Sequence, residues 1–322
     1  SGPGAACAYR NWPRANFDTR MLRPDLTEID GDIDLLMLVQ PRELSPAALY
    51  AIDQFVMDGG SVLAFVDPYS EVAAVEDRQQ GGLPGANAAA DLGPLLDSWG
   101  VALKQDVFAG DLTLGMQVNA GGPRPVQYIA WIQPRGSEMA ADDVVTGDLD
   151  IVSLGTAGIL EPIEGSGVTL TPLIRSTPDS MAVAIEEIRF GPRPDQLLED
   201  FEATPEIYTL AARLTGRFAT AFPDGPPEGP RDGNETTAHR TQSDGTGSII
   251  VIADSDLLED RFWINRAAFF DRAVNTPFAD NGNLVLNALE NLSGGEGLIG
   301  LRGRGVSQRP FTVFDDLEAE AA

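Results

Sequence analysis

The chain has 322 residues, 43% of them hydrophobic, and a formal net charge of −27. That length holds one large domain or two ordinary ones around a sizeable core. The charge repels nucleic-acid phosphates and anionic headgroups and so argues against a nucleic-acid partner, and the single cysteine, Cys7, rules out an internal disulfide and a Cys-rich metal site.

Lys104 is the only lysine, which reads as a composition bias and not a site. No apolar run approaches the roughly 18 residues that cross a bilayer, and no secretory signal is visible. The opening "SGPGAAC" and the closing "DDLEAEAA" read as the ends of an excised soluble portion of a longer protein.

The first element is the short apolar run in "GDIDLLMLVQP", a buried strand over about 33–39. "SPAALYAIDQFVMDGG" comes next as a helix. Ser45 caps it, Pro46 takes its first position, and Leu49, Ile52 and Val56 form the stripe that faces the core. Gly59 or Gly60 ends the helix in the left-handed conformation. "SVLAFV" is the second strand. Strand, helix and strand make a βαβ unit with parallel strands.

Residues 71–90 read as a Gly-rich loop with some helix, and 90–103 as a helix with Leu92, Leu95, Leu96 and Trp99 inward. Segments 106–118, 126–132, 150–160, 168–174 and 181–188 are short, β-branched and separated by turn residues, which predicts a β-rich middle. A short helix is expected over 193–202 and a strand over 206–222. Residues 223–247 are almost free of apolar side chains and predict a mobile loop. "GSIIVIAD" (247–254) restores the buried-strand pattern, "NGNLVLNALENLSGG" (281–295) a helix, and "GLIGLRGRG" a last strand or turn. No internal repeat occurs. The fold class expected is α/β: an open, mostly parallel, Rossmann-like sheet with a β-rich insertion.

Asp67 and Asp254 each stand directly after an apolar strand. Ligands of open parallel sheets bind beyond the carboxyl ends of the strands. If these two strands are neighbours, the two carboxylates share one rim that could bind a polar ligand or a cation. The competing reading is local: Asp67 before Pro68 makes a turn, and Asp254 or Ser255 caps the next helix. "ADSDLLED" adds Asp256, Glu259 and Asp260, but it has neither the glycine nor the terminal Glu of a calcium loop, and Lys104 is remote in sequence for phosphoryl chemistry. No metal, cofactor or catalytic residue is assigned. Nucleophilic chemistry lacks its parts: the expected elbow holds Asp67-Pro68, Cys7 is at the terminus, and the one histidine, His239, falls in the expected mobile loop. "GTAG" (155–158) and "GLIGLRGRG" lack the strand–helix context of a dinucleotide fingerprint. Arg302, Arg304 and Arg309 are either charge balance or a strip for an acidic partner.

The ordered set "DIDLLMLVQPRELSPAALYAIDQFVMDGGSVLAFVDP", "TLTPLIRST", "GSIIVIADSDLLED", "NGNLVLNALENLSGG" and "LIGLRGRGVSQRPFTVFDDLEAEA" resembles the GldG-like auxiliary components of ABC transporters, the gliding-motility family, over about 9–320. The resemblance implies a periplasmic or extracytoplasmic region of an inner-membrane protein, held by flanking membrane helices, with an ABC permease and ATPase as partners. It also implies a GIFT-like domain, related to class I amidotransferase-like folds, for which glycan or other small-ligand binding has been suggested. No catalytic residues come with it. The expected organisation is then a GIFT-like core over 9–105, a β-rich middle over 106–222, the loop 223–247, a return to the core over 248–305 and the start of a stalk over 306–322. A non-catalytic interaction or substrate-engaging module is the first reading. A ligand-binding module using Asp67, Asp254, Ser255 and Asp256 is the second, and an acid- or metal-dependent hydrolase the third.

Overall fold

The structure, a computed structural model, describes residues 17–79, 81, 85, 88–227, 238–244, 247–269 and 272–294 and, for 267–269 and 272–274, the backbone only. In chain order the elements are β1 (Leu35–Val39), α1 (Pro46–Met57), β2 (Ser61–Phe65), α2 (Glu71–Gln79), α3 (Leu95–Ser98), β3 (Val101–Leu103), β4 (Val107–Asp111), β5 (Gly115–Val118) and β6 (Val126–Ile132). Then come β7 (Leu154–Gly155), β8 (Leu160–Pro162), β9 (Val168–Arg175), β10 (Ser180–Ala184), α4 (Pro194–Glu199), β11 (Thr209–Gly216), β12 (Gly247–Ile252), β13 (Ile264–Phe269), β14 (Arg272–Pro277) and α5 (Asn281–Ser293).

The βαβ unit forms as its sequence dictates. Ser45 Oγ accepts the Ala48 N–H at 3.1 Å, Pro46 opens α1, and Gly59 closes it at φ 93°. Ile52, Val56 and Met57 are buried on one face of β1 and β2, against Val62, Ala64 and Val66. The alternate residues of β2, Leu63 and Phe65, face the other way, where Leu284, Val285, Ala288 and Leu289 of α5 cover them. The strands are thus sandwiched between α1 and α5.

The main sheet has seven strands in the order β1-β2-β12-β11-β8-β3, with β9 also paired to β11. β1, β2 and β12 are parallel; β11 runs antiparallel to β12, β9 and β8, and β8 to β3. This corrects the mostly parallel expectation. A parallel strand needs a long crossover, normally a helix. Between residues 106 and 222 the one α-helix is α4, of 6 residues, so that stretch returns on itself in antiparallel turns. Strand pairing also crosses the sequence boundaries near 105 and 222, because β8, β9 and β11 belong to the sheet of β1 and β2. The smaller sheets are β4–β10, β5-β6-β7 and the β13–β14 hairpin.

Two other differences have local causes. The helix expected over 90–103 is the single turn α3, bounded by Gly93 (φ 51°) and Gly100 (φ 77°), both in the left-handed region that favours glycine. Of its predicted inward residues, Leu92, Leu95 and Trp99 are nevertheless buried and Leu96 is half-buried. Residues 238–244, assigned by composition to the loop 223–247, are held against α1. The Arg240 N–H donates to Gln54 Oε1 at 2.8 Å and Gln54 Nε2 to the Arg240 carbonyl at 3.0 Å. His239 stacks on Tyr50, its Nδ1 3.1 Å from Tyr50 Oη, instead of riding on a loose tether.

Candidate functional site

β2 and β12 are neighbours in register, with Phe65 opposite Ile252. Asp67 and Asp254, each two residues further on, therefore come together at one end of the sheet, as the sequence required for a shared rim. The Val66 N–H still donates to the Ile252 carbonyl at 2.9 Å, so the pairing continues right up to the two aspartates. Asp256 joins them from the short 3-10 turn after β12.

The carboxylates are inside the protein. Asp67 and Asp254 are 0% exposed and Asp256 1%. Each ties down a different segment. Asp67 Oδ2 accepts both the backbone N–H and the hydroxyl of Ser255, each at 2.8 Å. Asp254 Oδ2 accepts the Gly155 N–H at 2.7 Å, and its Oδ1 accepts the Leu257 N–H at 3.1 Å. Asp256 accepts from Ser70 Oγ and the Glu71 N–H, both at 2.6 Å, and from the Val72 N–H at 3.2 Å. It thereby caps the start of α2, where a carboxylate faces the positive end of the helix dipole. Asp67 stitches β2 to β12, Asp254 stitches β12 to β7, and Asp256 stitches the turn after β12 to α2.

Burial works against ionisation here. It raises the carboxyls of Asp67 and Asp254 well above the usual carboxylate range, and the nearby Asp256 pushes both further. Asp256 is raised to about 7, first by burial, while its bond from Ser70 pulls the other way. Among the described residues Asp67 Oδ1 has no hydrogen-bond partner.

The surroundings are aromatic and polar. Trp131 Nε1 donates to Glu71 Oε1 at 2.7 Å, and Arg261 lies 3.3 Å from the other oxygen. Arg261 also sits 4.9 Å from the ring centre of Phe262, which packs edge-on to Trp131. Burial raises the Glu71 carboxyl. Two non-glycine residues at this end of the sheet hold left-handed backbones: Gln40 at φ 43° just after β1 and Thr156 at φ 55° just after β7. Thr156 Oγ1 donates to the Tyr69 carbonyl at 3.1 Å, and Gln40 Nε2 donates to the Ala88 carbonyl at 2.6 Å.

An open cleft of about 200 Å³ lies beside the aspartates, lined among others by Gln40, Arg42, Ser70, Glu76, Ser255 and Asp256. Of the sequence-predicted residues, Ser255 and Asp256 border it, whereas Asp67 and Asp254 lie behind it. Arg302, Arg304 and Arg309 fall outside the described residues, as does Cys7. Among the described residues no group of three or more His, Cys, Asp or Glu side chains is arranged to hold a metal ion. Sequence reading missed Ser70, Glu71, Trp131, Gly155 and Thr156. The available signal was "GTAG": judged against a dinucleotide fingerprint it fails, yet its first two residues are the backbone donor and the strained position of this end of the sheet.

The model of a family described as an ABC-type uncharacterized transport system matches residues 9–288. Comparison with curated proteins finds no match. No helix among the described residues is long and apolar enough to cross a membrane.

Proposed function

The chain belongs to the auxiliary family of ABC-type uncharacterized transport systems, and from that premise we propose that it is a non-catalytic extracytoplasmic module, GldG-like and built on a GIFT-like core, that engages a permease and ATPase or their substrate. One observation carries the non-catalytic part. All three carboxylates at the sheet end are buried, and each accepts hydrogen bonds from its own fold. A general base or a nucleophile must reach a substrate atom. Asp67 and Asp254 are held away from the cleft, and His239 lies on α1 beside Tyr50. The acidic strand ends are the joints of a scaffold.

A second reading, a binding module for a glycan or another small polar ligand, draws on the cleft. Gln40 borders it, and among the described residues the buried Gln40 Oε1 has no hydrogen-bond partner, an acceptor that a hydroxyl or amine reaching in from the cleft would satisfy. A hydrolase reading would draw on Asp256, which borders the cleft with a raised carboxyl but already accepts from Ser70 Oγ and the Glu71 and Val72 N–H groups.

The test is an activity screen of the isolated chain on esters, phosphates, glycosides and amides, with thermal melts run beside a panel of sugars. The proposal expects no turnover above background. Hydrolysis abolished by Asp67→Asn or Asp254→Asn in a folded variant would overturn it in favour of an enzyme. A sugar-dependent rise in Tm lost in Gln40→Ala would move the assignment to the second reading.

A further inference from the structure

Among the described residues β1 is the terminal strand of the main sheet and pairs with β2 alone. The Gln40 N–H donates to the Phe65 carbonyl at 2.9 Å, and the Ser61 N–H donates to the Asp34 carbonyl at 3.3 Å. Residues 34, 36, 38 and 40 therefore turn their backbone polar groups toward β2. By the two-residue period of a strand, Leu35, Met37 and Val39 turn theirs outward. Among the described residues these outward groups have no hydrogen-bond partner.

The strand itself lacks charge, proline and bulge, three of the devices that normally protect an edge. Its sequence, LLMLV, has no charge and no proline, and its register with β2 runs unbroken without a bulge. α1 and α5 cover its two faces and, among the described residues, nothing covers the edge: Leu35, Met37, Leu38 and Val39 are half-buried, whereas Leu63, Phe65, Ile250 and Ile252 deeper in the sheet are fully buried. An apolar edge of this kind is a template for strand addition.

Charge selects the kind of strand. Residues 17–34, which lead into β1, carry six carboxylates, Asp18, Asp25, Glu28, Asp30, Asp32 and Asp34, against Arg20 and Arg23. The far end of the strand adds Glu43 beside Arg42, which lies 3.7 Å from Glu76. A second copy carries the same net charge of −27, so self-pairing is disfavoured. We propose that the open edge of β1 is a docking site for an extended apolar strand flanked by basic residues and supplied by a protein partner. Backbone hydrogen bonds to Leu35, Met37 and Val39 would supply the register, and the acidic flanks the choice of partner.

The test uses the whole chain and two synthetic peptides, each a six-residue Val-Thr alternation, one with two lysines at each end and one with two glutamates. Residue-resolved amide exchange is followed in the free chain and with each peptide. The expected result is fast exchange at Leu35, Met37 and Val39 in the free chain and protection of these three amides by the lysine peptide. The glutamate peptide should bind at least about tenfold more weakly. Leu35→Pro removes an outward N–H at the first strand position, where proline is best tolerated, and should abolish protection with the melt retained. Met37→Pro is the second variant, should the first alter the fold. Slow exchange of these amides in the dilute free chain, protection that rises with protein concentration as dimers form, protection at a different edge, or equal binding of both peptides would each overturn the proposal.

Discussion

At the scale of single residues, the buried aspartates set a pH dependence whose sign is fixed. Asp67, Asp254 and Asp256 hold their protons more tightly folded than the ordinary carboxyl value of 3.8. The folded state therefore binds more protons than the unfolded chain across that window, and stability falls as pH rises. For Asp256 the window runs from 3.8 to about 7. A tenfold change in proton affinity is worth about 1.4 kcal/mol, so the loss between pH 4 and pH 8 is on the order of a few kcal/mol. The general self-repulsion of an acidic chain has the same sign, so the deciding comparison is with Asp67→Asn. That variant keeps an acceptor for Ser255 and cannot ionise. Its Tm should decline less steeply with pH, and it should melt above the native chain at pH 8. Parallel slopes would show that Asp67 carries no titration of this kind. Gly155 offers a second check. A Cβ there would lie 2.3 Å from Phe262 Cζ, and Phe262 is 1% exposed, so Gly155→Ala should cost roughly 1–3 kcal/mol by denaturant unfolding.

At the scale of elements, β1, α1 and β2 were legible because three independent signals agreed: a cap at Ser45, a helical apolar period through Ile52 and Val56, and runs too short and too apolar for anything but buried strands. Val56→Asp should then unfold the domain, since an unpaired carboxylate at a 1% exposed site costs several kcal/mol. Ser45→Ala, which removes only the 3.1 Å cap, should cost about 1 kcal/mol. Equal melting temperatures for the two variants would contradict the packing described. The rest was less legible for physical reasons. Apolar residues around α3 mimic a longer helix because Leu92, Leu95 and Trp99 reach the core from a single turn. Strand direction in the middle region depends on pairings distant in sequence, such as Ala211 with Ile252, which no local pattern encodes. The β13–β14 hairpin was missed because its stretch, from Ile264 to Pro277, mixes Arg, Asn and Ala without a clean alternation. The approach of Asp67 to Asp254 could be read conditionally from two strand ends. Their burial could not, since it depends on Ser255, Gly155 and α2 closing over them.

At the scale of the whole molecule, the main sheet keeps its acidic joints inside, and the chain carries a net charge of −27. Limited proteolysis is expected to cut first within 223–247, on composition alone. The two pieces should stay together because β11 and β12, on either side, pair over six residue positions, and 238–244 is bonded to α1. A first cut inside 45–66 would contradict the placing of the core. The larger claim is that this scaffold acts beside a transporter. A module tethered to its partner needs little intrinsic affinity, because tethering supplies a high effective concentration. The most direct measurement is therefore quantitative mass spectrometry of the protein isolated from gently solubilised membranes of its own cells, beside the 322-residue chain expressed alone. A tethered scaffold predicts a permease and an ATPase in near-stoichiometric amounts with the protein drawn from membranes and little or none with the chain expressed alone. Recovery of the protein from membranes without either component would contradict it.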